Sequence, residues 1–289
     1  MSRDRFDLHT HSTASDGMLP PREVVALAAE RGLAGIGLTD HDTTDGVAEA
    51  QGMAASLGIE CIAGVELSCT GETGNPVHML GYFVDPAHTE LQALFTSMRD
   101  ERLQRAHAIV ELIQQFGGAV TIDDVLREAG TAPPGRPHIA RAMIAAGLIT
   151  EIDEAFTNDW FGPGGRAWVS REGVQVERAI QVIHDAGGVA VFAHPGARTK
   201  DGFREAAIRQ AVSVGLDGVE ADHPSHEGDV VQQISEFAIV NGFVQTAGPD
   251  DHGYGIDGSR LGCRTVPRRI VDALQARAAS RQAGGIIGA

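Results

Sequence analysis

Histidine and carboxylate side chains recur along this 289-residue chain where short apolar stretches end. Neutral imidazole and ionised carboxylate are the ligands that borderline and hard divalent cations take in proteins. The strand ends of a β/α barrel converge on one mouth, so ligands far apart in sequence can meet there. Nine such groups are too many for one ion and suit two or three, which predicts a polynuclear metal centre with hydrolytic chemistry. The candidate ligands are His9, His11, Asp16, His41, Glu66, His78, His194, Asp250 and His252.

Several of these residues also have an ordinary structural interpretation. His9 and His11 are two positions apart, so an extended strand would present both rings on one face, although a lone His-x-His pair also arises by chance. Asp16 could simply cap the helix that follows it. His41 could be a loop histidine, and Glu66 could be an exposed carboxylate. The prediction of a metal centre therefore depends on the whole set and not on any single member.

Alternating strand-like and helix-like segments must position these groups. Such alternation indicates a parallel sheet with crossover helices, and ligands at the carboxyl ends of most strands predict a closed or nearly closed seven-stranded barrel. The strand candidates are Phe6–Leu8, Gly35–Leu38, Cys61–Gly64, Val77–Phe83, Val189–Ala193, Gly218–Glu220 and Phe243–Thr246. The helix candidates between them run from Pro20 to Gly32, Gly46 to Leu57, Glu177 to Ala186, Gly202 to Val214 and Asp229 to Asn241.

The alternation stops in the middle of the chain. A long amphipathic segment from Thr89 to Phe116 is followed by two shorter helix candidates, and strand-like runs do not return until after Arg166. An insertion on the loop side of a barrel lies over its active mouth. We therefore expect a catalytic barrel made of residues 1–98 and 167–289, with residues 99–166 forming an inserted helical cap.

Composition narrows the classes of protein that remain. The net charge of −16 argues against a grip on long nucleic acid, which requires clustered Lys and Arg to displace counterions. Apolar runs stay well below the length of about 20 residues that a membrane span needs. The charged N-terminus is unlike a secretory signal, and three cysteines without CxxC spacing argue against a disulfide framework. These features predict a cytoplasmic enzyme with no membrane partner.

The spaced motifs together resemble the polymerase and histidinol phosphatase (PHP) family of the amidohydrolase superfamily. The motifs in question are His9-x-His11, Asp16-Gly17, Thr39-Asp40-His41, Gly64-Val65-Glu66, His194-Pro195 and Asp250-x-His252. The resemblance covers essentially the whole chain. In the inserted region, the segment from Gly135 to Ala140 is similar to a subgroup of stand-alone phosphoesterases that act on small nucleotides. The resemblance implies an α/β fold, a distorted (β/α)7 TIM-like barrel, with a trinuclear site.

The resemblance also implies a distribution of the ligands among the metals. His9, His11 and Asp250 would hold one ion, and Glu66 would bridge it to a second. His78 and His194 would complete the second site; the third would be formed by Asp16, His41 and His252. One motif departs from the family pattern, because Pro249 and Asp251 replace a serine and an aromatic residue. Asp251 could therefore compete with Asp250 for metal.

The implied cofactors are two to three divalent ions of Mn²⁺, Fe²⁺ or Zn²⁺, which would activate a water for attack on phosphorus. Asp250 is also a candidate catalytic residue. Arg136 and Arg171 are candidates for phosphate binding, because a guanidinium offers a bidentate fork, and His223 could protonate the leaving group or contact phosphate. Each of these three could instead be an ordinary surface or loop residue.

Three functions remain open at this point. The first is hydrolysis of a phosphate ester of a small nucleotide, either a monophosphate or a 3′,5′-bisphosphate. The second is the same chemistry on a diester, as in a cyclic phosphodiesterase or a 5′-3′ exonuclease on short oligonucleotides. The third, from a different class, is a non-catalytic metal-binding PHP module. The complete ligand set argues against the third.

Overall fold

The computed structural model describes residues 4–71, 75–170, 173–197, 199, 202–253 and 258–285. Within them the seven predicted strands are present, with ends shifted by a few residues, and two short strands add to them. The strands are β1 (Arg5–Thr10), β2 (Gly35–Leu38), β3 (Glu60–Thr70), β4 (Pro76–Tyr82), β5 (Val174–Gln175), β6 (Val189–Phe192), β7 (Gly218–Asp222), β8 (Val244–Ala247) and β9 (Val266–Pro267). The helices are α1 (Pro21–Glu30), α2 (Val47–Leu57), α3 (Thr89–Gln115), α4 (Ile122–Ala129), α5 (Arg136–Ala145), α6 (Ile152–Ala155), α7 (Val176–Asp185), α8 (Glu205–Val212), α9 (Gly228–Asn241) and α10 (Arg268–Gly285).

The strands form one mixed sheet that is nearly closed into a barrel. Its order is β8-β7-β6-β4-β3-β2-β1-β9, and β5 pairs with β3. The end of β1 also bridges to the segment after β8, where Thr10 lies opposite Asp251. There the N–H of His11 donates to the carbonyl of Asp251 at 2.9 Å. The sheet therefore returns on itself at the edge that carries the candidate ligands, which confirms the predicted α/β barrel.

One strand runs against the expected direction. β4 is antiparallel to both β3 and β6, whereas β1, β2 and β3 pair in parallel. Only residues 71–75 separate Thr70 from Pro76, and a parallel connection needs a crossover of about a dozen residues or more. His78 is consequently the third residue of its strand and not one of the last. Reversal of the strand places its beginning at the same barrel edge as the carboxyl ends of the parallel strands.

β3 is longer than predicted, and this changes the position of Glu66. The strand continues six residues beyond Gly64, and its second half pairs with β4 along Gly64–Thr70. Glu66 therefore lies inside the strand and not in the loop after it. Its side chain is fully buried, so the interpretation as an exposed carboxylate is wrong.

Local sequence explains where several helices start and stop. Pro21 opens α1, since proline suits the first helical turn. Gly58 and Gly242 end α2 and α9 with φ of +65° and +69°, a left-handed conformation that glycine adopts without steric penalty. Strand residues Phe6, Leu8 and Tyr82 are fully buried in the core. Each such side chain contributes about 1.5–3 kcal/mol through burial.

The chain divides into two compact units. The first comprises Met1–Gln92 and Gly173–Ala289 and contains the sheet with its flanking helices. The second comprises Ala93–Glu172 and has its own apolar core, with Ile109, Ile113 and Met143 at its centre. These boundaries fall six residues outside the predicted ones at either end, and the role of residues 99–166 as a cap stays a prediction. None of the helices in the described part of the chain is both long and apolar enough to span a bilayer.

Candidate metal centre

Glu66 is the residue around which the candidate ligands gather. Its carboxylate is fully buried and each oxygen faces a different set of imidazoles. Oε1 lies 2.8 Å from Nδ1 of His78 and 3.0 Å from Nε2 of His194. Oε2 lies 3.1–3.3 Å from ring nitrogens of His9, His11 and His41. A carboxylate with a different partner set on each oxygen has the geometry of a bridging ligand.

On the Oε2 side, four donors come close enough to share one ion. Ligand atoms of His9, His11, Glu66 and Asp250 all lie within 4.8 Å of one another. Oδ1 of Asp250 is 3.0 Å from Nε2 of His11 and 3.4 Å from Nε2 of His9. These four atoms are buried and have no hydrogen-bond partner among the described residues. Burying polar atoms without partners is unfavourable, so their convergence fits a site for a cation.

Two further groups meet the same distance limit. One consists of His11, Asp16, His41 and His252, and the other of His41, Glu66 and His78. In the first, Oδ1 of Asp16 is 3.1 Å from Nε2 of His252, and the rings of His11 and His252 stack at 4.0 Å. His194 joins the second through Glu66. All nine predicted ligands are therefore brought together, although their roles as metal ligands stay a prediction.

The electrostatics of the cluster follow from burying carboxylates among imidazoles. Burial by itself would raise the pKa of Glu66, but the imidazoles of His41, His78 and His9 hold that pKa well below its ordinary value. Burial likewise disfavours charge on His11, yet Asp250 and Glu66 raise the pKa of His11 to about 10. Burial prevails at His41 and lowers its pKa to about 3. The carboxylates thus attract positive charge, which protons provide here and divalent cations would provide on binding.

Two aspartates outside the set of candidate ligands hold the loop of His41. Asp40 accepts hydrogen bonds from the N–H and Oγ–H of Ser12, both at 2.7 Å, and from Oγ–H of Ser15 at 2.6 Å. Asp42, at φ +55°, accepts from the N–H and Oγ–H of Ser68. His41 is therefore fixed from both sides, to the loop that carries Asp16 and to β3.

Two of the four non-glycine residues with positive φ in the described part of the chain are candidate ligands. His194 and Asp250 have φ of +28° and +53°, a region that non-glycine residues rarely occupy. Such strain persists where the surrounding structure imposes it, and it is commonly found at functional sites. Close packing at the barrel seam contributes, because a Cβ on Gly248 would lie 2.3 Å from Cβ of His9. The residue before Pro249 must therefore be glycine for β8 to approach β1.

Asp251 does not lie among the candidate ligands. Its carboxylate accepts hydrogen bonds from Oγ–H of Ser259 at 2.8 Å and from the N–H of Arg260 at 2.7 Å. Its backbone makes the bridge to β1. Asp251 thus anchors the segment near residue 260, and competition with Asp250 for metal, which the sequence left open, finds no support in this arrangement.

His223 directly follows β7 and borders the cluster. Its ring lies 5.4 Å from that of His194 and 6.4 Å from that of His9. Nδ1 accepts from the N–H of Ser225 at 3.1 Å and contacts its Oγ at 2.7 Å, while the buried Nε2 has no partner in the described part of the chain. Burial is the main cause that lowers the pKa of His223 to about 4. The ring is therefore held as a neutral imidazole with its proton on Nε2.

The sequence interpretation missed His226 and Glu220. His226 is buried beside His223 and accepts from the N–H of Gly196 at 3.0 Å. Glu220 is fully buried in β7 and contacts Nδ1 of His9 at 2.9 Å. Its pKa is lowered although burial acts to raise it, with His9 as the main opposing cause. A carboxylate at the end of a predicted strand was the available signal for Glu220.

Of the two arginines predicted to bind phosphate, the structure describes Arg136. Arg136 is the first residue of α5 in the second unit, and its guanidinium lies over the ring of Phe156 at 5.3 Å. Arg171 lies outside the described residues. Phosphate binding by either arginine stays a prediction.

Comparison with known proteins identifies relatives over nearly the whole chain. The model of the PHP domain family matches residues 7–128. A 3′,5′-nucleoside bisphosphate phosphatase of Chromobacterium violaceum is 35% identical over 278 residues, covering 92% of this chain and 96% of the relative. A 5′-3′ exoribonuclease of Haemophilus influenzae is 33% identical over 249 residues, covering 86% and 90%.

Solved structures give the same picture of the fold. A protein of Bifidobacterium adolescentis assigned as a metal-dependent phosphoesterase superposes with a TM-score of 0.87 at 30% identity, covering 94% of this chain and 96% of that one. An amidohydrolase of Chromobacterium violaceum, solved with sulfate and without metal, superposes with a TM-score of 0.83 at 33% identity, covering 93% and 96%.

Proposed function

Because the chain belongs to the PHP domain family, we propose that its metal centre hydrolyses a phosphate ester of a small nucleotide, a nucleoside monophosphate or 3′,5′-bisphosphate. Its relatives include a bisphosphate phosphatase, an exoribonuclease and a cyclic phosphate diphosphodiesterase of Eggerthella lenta that is 31% identical, so the chain is a metal-dependent phosphoesterase. The observation that carries the proposal is Glu66, whose two oxygens face separate groups of imidazoles. That arrangement suits a centre of two or three divalent ions.

The ligand roles in this proposal are those that the resemblance to the PHP family implies. His9, His11 and Asp250 would hold one ion with Oε2 of Glu66, and His78 and His194 would hold a second with Oε1. A third would be bound by Asp16, His41 and His252. Bound divalent ions lower the pKa of water toward neutrality and neutralise phosphoryl oxygens. Imidazole and carboxylate donors suit Mn²⁺, Fe²⁺ and Zn²⁺, and the donor set alone does not choose among them.

Two residues are suited to act on the substrate directly. Asp250 is the most exposed carboxylate of the cluster, with 27% of its side chain accessible, against 0% for Glu66 and 8% for Asp16. We assign it the role of accepting a proton from the attacking water. His223 is a neutral imidazole that carries its proton on Nε2, so it is better suited to donate a hydrogen bond to a phosphoryl oxygen than to protonate the leaving group.

A short oligonucleotide is the second candidate substrate, favoured by the exoribonuclease relative. Monoester and diester hydrolysis use the same attack on phosphorus, so the ligand set serves both. The net charge of −16 disfavours long strands, because backbone phosphates bind through clusters of basic residues. A substrate of one or a few nucleotides therefore fits the chain better than a long RNA.

The proposal is tested by measuring turnover with added Mn²⁺ on a panel of substrates. The panel contains nucleoside monophosphates, 3′,5′-bisphosphates, cyclic nucleotides and 5′-phosphorylated oligonucleotides of two to five residues. Phosphate release from the monophosphates or bisphosphates supports the proposal. Cleavage of the oligonucleotides alone favours the exonuclease. If protein loaded with two or three ions turns over no member of the panel, the proposed function is wrong.

A further inference from the structure

A buried carboxylate outside the predicted ligand set connects two of the candidate ligands. Glu220 is fully buried in β7. Its Oε1 contacts Nδ1 of His9 at 2.9 Å, and its Oε2 accepts from the backbone N–H of His194 at 2.8 Å. An ionised carboxylate only accepts hydrogen bonds, so Nδ1 of His9 must be the donor. Both oxygens are thus occupied by residues of the metal centre.

The hydrogen bond from His9 determines which of its nitrogens can bind metal. With the proton on Nδ1, the neutral ring has its lone pair on Nε2. That atom is 3.3 Å from Oε2 of Glu66 and 3.4 Å from Oδ1 of Asp250, and it has no hydrogen-bond partner among the described residues. Without Glu220, the alternative tautomer would direct an N–H group toward the place where a cation would bind.

The second hydrogen bond holds the backbone of His194. This residue has a φ of +28°, which is strained for a side chain with a Cβ. Its N–H donates to Glu220, while its ring places Nε2 3.0 Å from Oε1 of Glu66. His9 and His194 face opposite oxygens of Glu66, so a single carboxylate orients candidate ligands on both sides of Glu66.

We propose that Glu220 is a positioning residue of the metal centre. It selects the tautomer of His9 and fixes the backbone of His194, and it thereby orients candidate ligands on both sides of Glu66. The proposal rests on the metal centre of the proposed function. Carboxylates that orient metal-binding histidines in this way commonly change metal affinity by about 10- to 100-fold when they are replaced.

Two substitutions separate positioning from simple charge balance. Glu220→Gln keeps the shape but turns an NH₂ group toward one of its two donors, so one of the two hydrogen bonds is lost. Glu220→Asp keeps the charge but shortens the reach by one C–C bond, about 1.5 Å. We expect both variants to bind Mn²⁺ about 10- to 100-fold more weakly than wild type. Glu60→Gln is the matched control, because Glu60 pairs with Arg268 at the start of β3.

Titration of metal-free protein with Mn²⁺ gives affinity and stoichiometry without reference to turnover. Wild-type affinity in Glu220→Asp would mean that only charge matters and would overturn the positioning role, and wild-type affinity in both variants would overturn any role. A protein that binds Mn²⁺ normally but hydrolyses no phosphate ester would instead refute the proposed function and leave this inference intact.

The tautomer can be read directly in the wild-type protein, so the test survives if a variant fails to fold. In the Zn²⁺-loaded protein, two-dimensional ¹H–¹⁵N spectra of the imidazoles should show the proton of His9 on Nδ1 and the metal on Nε2. That Nδ1–H signal should shift or broaden in Glu220→Asp, whose shorter carboxylate no longer reaches the ring of His9, and stay unchanged in Glu60→Gln. Metal coordination through Nδ1 of His9 in wild type would contradict the proposal.

Discussion

At the scale of single residues, Glu66 carries the most specific prediction. Its two oxygens face different imidazoles at 2.8–3.3 Å, and a neutral amide bridges two cations poorly. We expect Glu66→Gln to reduce kcat by about a thousandfold, which corresponds to roughly 4 kcal/mol of transition-state stabilisation. Steady-state kinetics measure kcat, and elemental analysis measures how much metal each variant binds. Glu60→Gln serves as the control, and near wild-type turnover in Glu66→Gln would exclude Glu66 from the centre.

The imidazoles give the centre a predictable dependence on pH. Burial opposes a charge on His11, but Asp250 and Glu66 raise the pKa of His11 to about 10, so its ring is protonated at neutral pH when no metal is bound. A doubly protonated imidazole has no lone pair for a cation, so His11 must release a proton before it can bind metal. At pH values below about 10, metal binding therefore becomes more favourable as the pH rises.

We expect the apparent association constant for Mn²⁺ to rise by about tenfold per pH unit for each proton displaced. His41, whose pKa is lowered to about 3, should release no proton. Calorimetric titrations at pH 6.5 and 7.5, each in two buffers of different ionisation enthalpy, give the number of protons released. Affinity that is independent of pH over this range would contradict the assignment of His11 to the site.

Residue types and spacing predicted the nine candidate ligands, but not the residues that hold them. His9 and His11 follow from two-residue spacing in a strand, which places both on one face. Glu220, Asp40 and Asp42 are carboxylates whose partners are distant in sequence or are backbone N–H groups. Such pairings depend on tertiary structure, and a single sequence contains no periodic signal for them.

At the scale of elements, the strands were largely predictable and their directions were not. β2 coincides with the predicted Gly35–Leu38, because a short apolar run between polar turns is a clear signal. The antiparallel course of β4 could have been inferred from its five-residue connection, although apolar patterning alone does not reveal direction. The two-residue strands β5 and β9 are too short to leave any pattern.

The elements at the barrel end away from the ligands meet at Asp217, which precedes β7. Its carboxylate contacts Nε2 of His184 at 2.9 Å and accepts from the N–H of Ala190 at 2.9 Å and from Arg281 of α10 at 2.6 Å. These contacts join α7, β6 and α10. Against the opposing effect of burial, His184 and Arg281 lower the pKa of Asp217. The charged form is therefore the one that stabilises the fold.

We expect Asp217→Asn to lower the free energy of unfolding by about 1.5–3 kcal/mol at pH 7, the range for hydrogen bonds to a charged group. A carboxyl group whose folded pKa is lowered contributes stability above its unfolded pKa of about 3.9 and loses it as pH falls through the folded value. The difference between variant and wild type should therefore shrink below about pH 4. Urea denaturation at pH 7 and at about pH 3, on either side of the unfolded pKa, measures this difference, and the Mn²⁺ stoichiometry at pH 7 should be unchanged.

At the scale of the whole molecule, the sequence indicated two parts because the alternation of strands and helices stops. The break predicted boundaries near residues 98 and 167, and the units divide at Gln92 and Gly173. The first boundary falls inside α3, which is continuous from Thr89 to Gln115. A helix that passes from one unit into another has no break in its own pattern, so the sequence could not locate the division more closely.

Metal binding should stabilise the molecule as a whole and the first unit most directly. An ion that binds only the folded state adds about 4 kcal/mol to its stability at a thousand times its Kd. We expect the melting temperature to rise with Mn²⁺ and hydrogen exchange to slow most in β1 and β3. Glu66→Gln should show a smaller rise. Equal protection throughout the second unit, Ala93–Glu172, would mean that the two units do not respond separately.

Whether the second unit takes part in substrate choice is tested through Arg136. A guanidinium suits bidentate recognition of phosphate, and Arg136 is held against the ring of Phe156. If Arg136 binds a phosphate, Arg136→Ala should lower kcat/KM for nucleotides by about 30- to 150-fold, equivalent to roughly 2–3 kcal/mol, with Mn²⁺ stoichiometry unchanged. Arg127→Ala is the matched control, since Arg127 is an exposed arginine of the same unit that pairs with Asp124.

Comparison of two substrates then shows which phosphate Arg136 recognises. A small aryl phosphate contains only the group that is transferred, whereas a nucleoside 3′,5′-bisphosphate carries a second one. A loss confined to the bisphosphate would place Arg136 at the phosphate that is not hydrolysed, because binding energy remote from the reacting bond is lost only when that remote group is present. Equal losses on both substrates would place it at the transferred phosphoryl group. If Arg136→Ala behaves like Arg127→Ala on both, Arg136 does not bind phosphate, and substrate choice is determined by other residues.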